Sequence, residues 1–206
     1  MPFDLWFTFA AATFVILVIP GPTILLVISY ALTQGRRVAV ATALGVAFGD
    51  AVAVGASMAG LGAIMQTSAL AFTVLKWIGA AYLVYLGIKL LRSPPHLADL
   101  STPTQTPARH IFGHAALVTA LNPKGIIFII AFVPQFLSPA LPAMPQFLTM
   151  AVTFVAMGAI NALAYALLAD QLRQRIRRPS VLTVMNRVGG AALITMGVVT
   201  ATMKRG

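Results

Sequence analysis

The chain has 206 residues, 59% of them hydrophobic and only 9% charged, and a mean hydropathy of +0.92 excludes a soluble domain of this length. A net charge of +10 would point to nucleic acid in a soluble chain, but here the bases sit between apolar runs, where cytoplasmic loops and anionic lipid headgroups want them; no nucleic-acid partner is expected. Cysteine is absent, which rules out disulfides, thiolate metal sites and dithiol redox chemistry, and the acids number four: Asp4, Asp50, Asp99 and Asp170.

Six apolar segments follow one another: Phe3 to Leu32, Val38 to Met65, Ala69 to Leu91, Phe112 to Leu137, Phe147 to Leu168 and Val181 to Met203. They lack the alternation of a membrane β-barrel, so helices are expected. The first segment carries Pro20-Gly21-Pro22 about halfway through a crossing that needs roughly 20 helical residues. Each proline removes a backbone donor, so the helix should break there and carbonyls around Val15 to Val18 should lose their partners. Lipid supplies no replacements, which makes the stretch a candidate wall of a transport site or, more plainly, a packing kink.

The second segment holds Gly45 and Gly49, a Gly-xxx-Gly pair suited to close helix packing, and Asp50, about 12 residues into the membrane by the same scale. An ionised carboxylate at that depth is costly, so Asp50 should face the bundle interior or hold a proton. Between the third and fourth segments, residues 93–110 are rich in Pro, Ser and Thr and read as a cytoplasmic linker, separating a first repeat, 1–92, from a second, 111–206. The fourth segment carries a second breaker, Asn122-Pro123-Lys124-Gly125. Lys124 lies at the depth of Asp50 and is its natural counter-ion. Tyr82 and Asn161 come out near the same plane, so a shared polar cavity is expected. Lys76 lies nearer a helix end and should snorkel; His110 and His114 have metal-like spacing without a completing ligand and read as interface residues; Asp170 should pair with Arg173 in a basic lipid anchor.

Ten bases, Arg36, Arg37, Lys89, Arg92, Arg109, Arg173, Arg175, Arg177, Arg178 and Arg187, fall on one side of such a six-helix layout. The positive-inside rule then puts both termini outside. The third and sixth segments also align at an offset of 110, Gly79 to Gly87 over Gly189 to Gly197, with four of nine positions identical. With a breaker in the first helix of each half, the expected fold is an all-α membrane protein of six transmembrane helices, built as two inverted three-helix repeats with broken first and fourth helices.

Ile19-Pro20-Gly21-Pro22, Gly49-Asp50, Lys76-Trp77-Ile78-Gly79-Ala80-Ala81-Tyr82-Leu83 with Leu86-Gly87, Phe112-Gly113 ahead of Asn122-Pro123-Lys124, and Phe132-Val133-Pro134-Gln135-Phe136 resemble the LysE-type (LysE/RhtB) amino-acid exporters. The resemblance implies a bacterial inner-membrane exporter of amino acids or related small metabolites, driven by the proton gradient. No cofactor is expected, and assembly into a homo-oligomer stays open. On this reading the pathway residues are Pro20, Gly21, Pro22, Asp50, Tyr82, Asn122, Pro123, Lys124 and Asn161. The half-helix terminus after Pro22, with Lys124, would take a substrate carboxylate, and Asp50 with the freed carbonyls its ammonium. An intramembrane enzyme is not expected, since one buried acid without Glu, Cys or buried His is too little for catalysis. A structural or lipid-binding membrane protein is the alternative.

Overall fold

The computed structural model describes residues 1–67, 69–92, 106–138, 140–176 and 179–202, and these form eight α-helices and no strand. Helix α1 (Phe3–Val18) starts behind Pro2 with Asp4 in its first turn, where a carboxylate favours the helix dipole. It stops because Pro20 forces Ile19 into an extended conformation (φ −62°, ψ 121°). Helix α2 (Pro22–Gln34) restarts at once, its proline in the first-turn position where a missing donor costs nothing, and ends at Gly35, whose φ of 76° suits a glycine C-terminus. A 3-10 turn, Arg36–Val38, leads into α3 (Ala39–Thr67), and α4 (Ala69–Arg92) follows.

The second half repeats this order. Helices α5 (Ala108–Ala120) and α6 (Pro123–Phe132) flank a break, a 3-10 turn spans Val133–Phe136, and α7 (Ala143–Ile176) and α8 (Pro179–Thr202) complete the chain. Among the described residues, two stretches are long and apolar enough to cross a membrane, Arg36–Gly60 (the 3-10 turn with α3) and Ala143–Ala169 in α7. The bent pairs α1/α2 (55°) and α5/α6 (43°) bring the spans to four if each pair is one crossing. The expected linker falls mostly on residues 93–105, outside the described residues. The side chains of Lys76, Asp170 and Arg173 lie outside them too, and with them the snorkelling lysine and the Asp170–Arg173 pair. Helices α5 and α7 begin earlier than the apolar segments they contain, and α7 ends later, at Ile176 beyond Leu168. Apolarity marks what meets lipid, whereas backbone hydrogen bonding carries a helix on into polar surroundings.

Each long helix packs on the broken helix of the other half: α3 against α5 and α6, α7 against α1 and α2. Small residues set the first of these contacts. A Cβ on Gly45 would stand 2.5 Å from the Phe112 carbonyl oxygen, and one on Gly49 2.5 Å from that of Ala116, so the Gly-xxx-Gly pair is the surface on which α5 lies. Helices α4 and α8 pack together, and their contacts respect the offset of 110. Gly87 meets Gly190 and Ile194, while Gly197 meets the corresponding Ala80 and Val84. The buried positions correspond as well: Gly79, Ala80, Leu83 and Gly87 on α4, Gly189, Gly190, Leu193 and Gly197 on α8.

The core has a phenylalanine-rich cluster (Phe9, Phe128, Phe132, Phe136, Phe154) and an alanine-rich one (Ala31, Ala39, Ala115, Ala162, Ala166). Gln146 is buried on α7 and satisfied by the preceding loop: Nε2 donates to the carbonyls of Ser138, Leu141 and Pro142, and Oε1 accepts from the Ser138 N–H.

Candidate functional site

The first break frees a specific set of carbonyls. In a continuous helix the oxygens of Ile16 to Ile19 would accept from residues 20 to 23, but Pro20 and Pro22 have no N–H and the chain turns away. Val15 is not among them, because the Ile19 N–H still reaches its oxygen at 3.3 Å. The orphaned set therefore lies one residue later than the sequence suggests. Each member is met by a side chain from the second half. Nζ of Lys124 donates to Ile16 O (2.9 Å) and Ile19 O (2.7 Å), Nδ2 of Asn161 to Leu17 O (3.0 Å), and the Tyr165 hydroxyl to Val18 O (2.9 Å).

The second break caps itself. Oδ1 of Asn122 accepts from the Lys124 N–H at 3.1 Å, a helix N-cap, and the Asn122 backbone N–H donates to Thr119 O. Nδ2 of Asn122 then reaches across to Thr23 Oγ1 at 3.1 Å, and the Thr119 hydroxyl donates to the same oxygen at 3.3 Å. The two breaks are thereby joined directly.

Between them lies a cavity of about 30 Å³, lined by Thr23, Asp50, Thr119, Asn122, Lys124 and Asn161 on the polar side and by Ile16, Ile24, Val46, Ile129 and Phe154 on the apolar side. Asp50 is 6% exposed, and its Oδ2 has no hydrogen-bond partner. Gly158 of α7 faces it so closely that a Cβ there would collide with the carboxylate. Asp50 and Lys124 share the cavity, yet the ammonium spends its bonds on carbonyls and leaves that oxygen alone. Lys124 remains the cation whose charge acts on Asp50, while its hydrogen bonds cap the first break.

Of the residues singled out in the sequence, Asp50, Asn122, Lys124 and Asn161 converge on the cavity, and Pro20, Gly21, Pro22 and Pro123 shape the breaks beside it. Tyr82 does not join them. It sits on α4, half-buried, its ring 5.8 Å from that of Tyr85, and lines no part of the cavity. Sequence reasoning missed Thr23, Thr119, Gly158 and Tyr165. Thr23 adjoins the Pro-Gly-Pro and was the one within reach of a local argument; Gly158 and Tyr165 stand in an apolar helix where packing accounts equally well for either. His114 lies away from the cavity, exposed, with Nδ1 3.0 Å from the Tyr30 hydroxyl.

Apolar spans interrupted at two joined breaks, with capped backbone and a buried carboxylate between them, define a membrane protein organised around an interior polar site. The model of the LysE type translocator family matches residues 14–204, and the chain belongs to that family. It is a transporter and not an enzyme. An uncharacterized membrane protein of Vibrio cholerae serotype O1 is 36% identical over 204 residues, which cover 99% of this chain and all of the relative. The homoserine/homoserine lactone efflux protein of Salmonella typhimurium is 32% identical over 205 residues, 99% of both chains. The leucine efflux protein of Salmonella choleraesuis is 33% identical over 138 residues, 66% of this chain and 65% of its own. No solved structure matches the chain.

Proposed function

We propose that this protein exports amino acids or related small metabolites across the bacterial inner membrane by proton antiport, with the residues around the cavity between the breaks as its substrate site once the cavity opens. One observation carries the reading: the unpartnered Asp50 oxygen lies in the same cavity as the capped backbone of the first break. Carbonyls held by replaceable side-chain donors, next to a carboxylate oxygen that lacks one, suit a small zwitterion. The homoserine/homoserine lactone and leucine efflux relatives support a small amino compound with an uncharged side chain. So does the wall of Ile16, Ile24, Ile129 and Phe154. Asp50 takes up a proton on the outer side and releases it inside, coupling proton entry to substrate exit.

The repeated element order and the matching α4–α8 contacts support two inverted three-helix repeats, 1–92 and 111–206, joined by a cytoplasmic linker, 93–110. Both termini then face outside and the basic connections meet anionic lipid.

Counterflow of labelled homoserine and leucine in proteoliposomes tests the assignment. Accumulation against unlabelled substrate is expected; its absence for any amino acid would favour a structural or lipid-binding role. Asp50→Asn keeps the size of the side chain but carries no proton, so it should abolish uphill export driven by a pH gradient while sparing exchange. Uphill export by that variant at the normal rate would remove Asp50 from the coupling step. Single cysteines on this cysteine-free chain test orientation: position 138 should label from outside and position 36 only after permeabilisation.

A further inference from the structure

Half of the carbonyl cluster at the first break is filled by an ammonium group. Nζ of Lys124 lies 2.9 Å from the Ile16 oxygen and 2.7 Å from the Ile19 oxygen. Its stem passes over Gly21, where a Cβ would stand 3.3 Å from Nζ and 3.5 Å from Cε. In the same cavity the buried Asp50 has an oxygen with no donor, and the absence of a side chain on Gly158 leaves it room. A cation on two neutral carbonyls and a carboxylate with one oxygen that lacks a donor, sharing about 30 Å³, are complementary groups held apart. Charge-assisted bonds to a carboxylate are stronger than bonds to neutral acceptors, and a lysine stem is flexible enough to change partners.

We infer that the Ile16 and Ile19 carbonyls form a binding site for a primary alkylammonium group, filled by Lys124 in this state and by the substrate's amino group once Lys124 swings to Asp50. The inference rests on the transport reading and deepens it. Lys124 is a tethered stand-in for the substrate: it holds the carbonyls while no substrate does, and its departure to Asp50 satisfies the carboxylate as the substrate's amino group arrives. The substrate's carboxylate is left to the N-termini of α2 and α6, where Thr23 and Gly125 line the cavity. Two carbonyl acceptors require N–H donors, so the site takes primary amines and rejects quaternary ones.

Removing the lysine stem makes the site testable with a free amine. Purified Lys124→Ala should be stabilised by ethylammonium, with a saturable rise in Tm of about 2–4 °C for a chain of this size. Tetramethylammonium, which has no N–H, should leave it unmoved, and wild type, where the tethered Lys124 ammonium competes for the carbonyls, should need a higher ethylammonium concentration for the same rise. No response of Lys124→Ala to ethylammonium, or equal responses to the two cations, would overturn the site. The unfolding measurement needs no transport. A selective response in the variant alongside absent counterflow in wild type would leave the ammonium site standing and remove the export assignment; the converse would do the opposite. Should Lys124→Ala fail to fold, the 15N resonance of the Lys124 ammonium in lysine-labelled wild type takes its place. A transported amino acid should shift that resonance, and Asp50→Asn should abolish the shift. A resonance that stays put under saturating transported amino acid would overturn the exchange of partners.

Discussion

At the first break the carbonyls of Ile16 to Ile19 are satisfied by Lys124, Asn161 and Tyr165, donors 105 to 147 positions away along the chain. At the second, Asn122 caps the helix that begins at the next residue. The difference follows from the breaker sequences. Pro-Gly-Pro deletes two donors and offers no side chain in return, while Asn-Pro brings its own acceptor and places its proline where a helix tolerates it. A locally capped break forms with its helix, whereas one capped from a distance is complete only when the halves are assembled. The first break is therefore where structure in one half can sense the other.

The largest effect should come from Pro20→Ala with Pro22→Ala. This restores N–H donors for Ile16 and Val18, displaces Lys124 and Tyr165, and should stop transport while the protein still inserts, since insertion follows apolarity; membrane-fraction yield and counterflow measure the two separately. Normal export by the double variant would reduce the first break to a packing kink. Gly158→Ala comes next, because a methyl there strikes the Asp50 carboxylate through a rigid helix backbone; counterflow should fall about tenfold or more, in line with the 1–3 kcal/mol typical of overpacking.

Removing a remote cap should cost less. Asn161→Ala leaves the Leu17 carbonyl without its donor, and a lost interhelical bond in a membrane averages about 0.6 kcal/mol with a maximum near 1.7, to be read from denaturation in mixed micelles. Pro123→Ala should do least. Position 123 is the first helical residue behind an intact Asn122 cap, so transport within about twofold of wild type is expected, consistent with the small propensity difference between these residues there. Equal losses from Pro123→Ala and from the Pro20/Pro22 pair would erase the distinction between the breaks.

What was legible in the sequence was legible for local reasons. Prolines in an apolar run announce lost donors wherever they occur, and Gly45 with Gly49 announces a close helix neighbour without naming it. The spacing of Gly79, Leu83 and Gly87 against Gly189, Leu193 and Gly197 carried into matching buried faces. Depth was legible and direction was not. Tyr82 and Asn161 come out at one level, yet Asn161 bonds the first break while Tyr82 stays beside Tyr85, because rotation about a helix axis depends on neighbours that only assembly supplies. Lys124 shows the same limit in energetic form. Asp50 was the obvious partner by charge, but two carbonyls stripped of their donors made a competing claim that no pairing of charges along the sequence reveals.

The small volume of the cavity has an electrical consequence. A membrane stores about 2.3 kcal/mol per elementary charge for every 100 mV across it, and a continuous file of water would dissipate that store by conducting protons. Space of about 30 Å³, room for one or two water molecules, is far short of a column through a hydrocarbon layer about 30 Å thick. Among the described residues, the space between the breaks is in this state a pocket beside Asp50 and not a column past it.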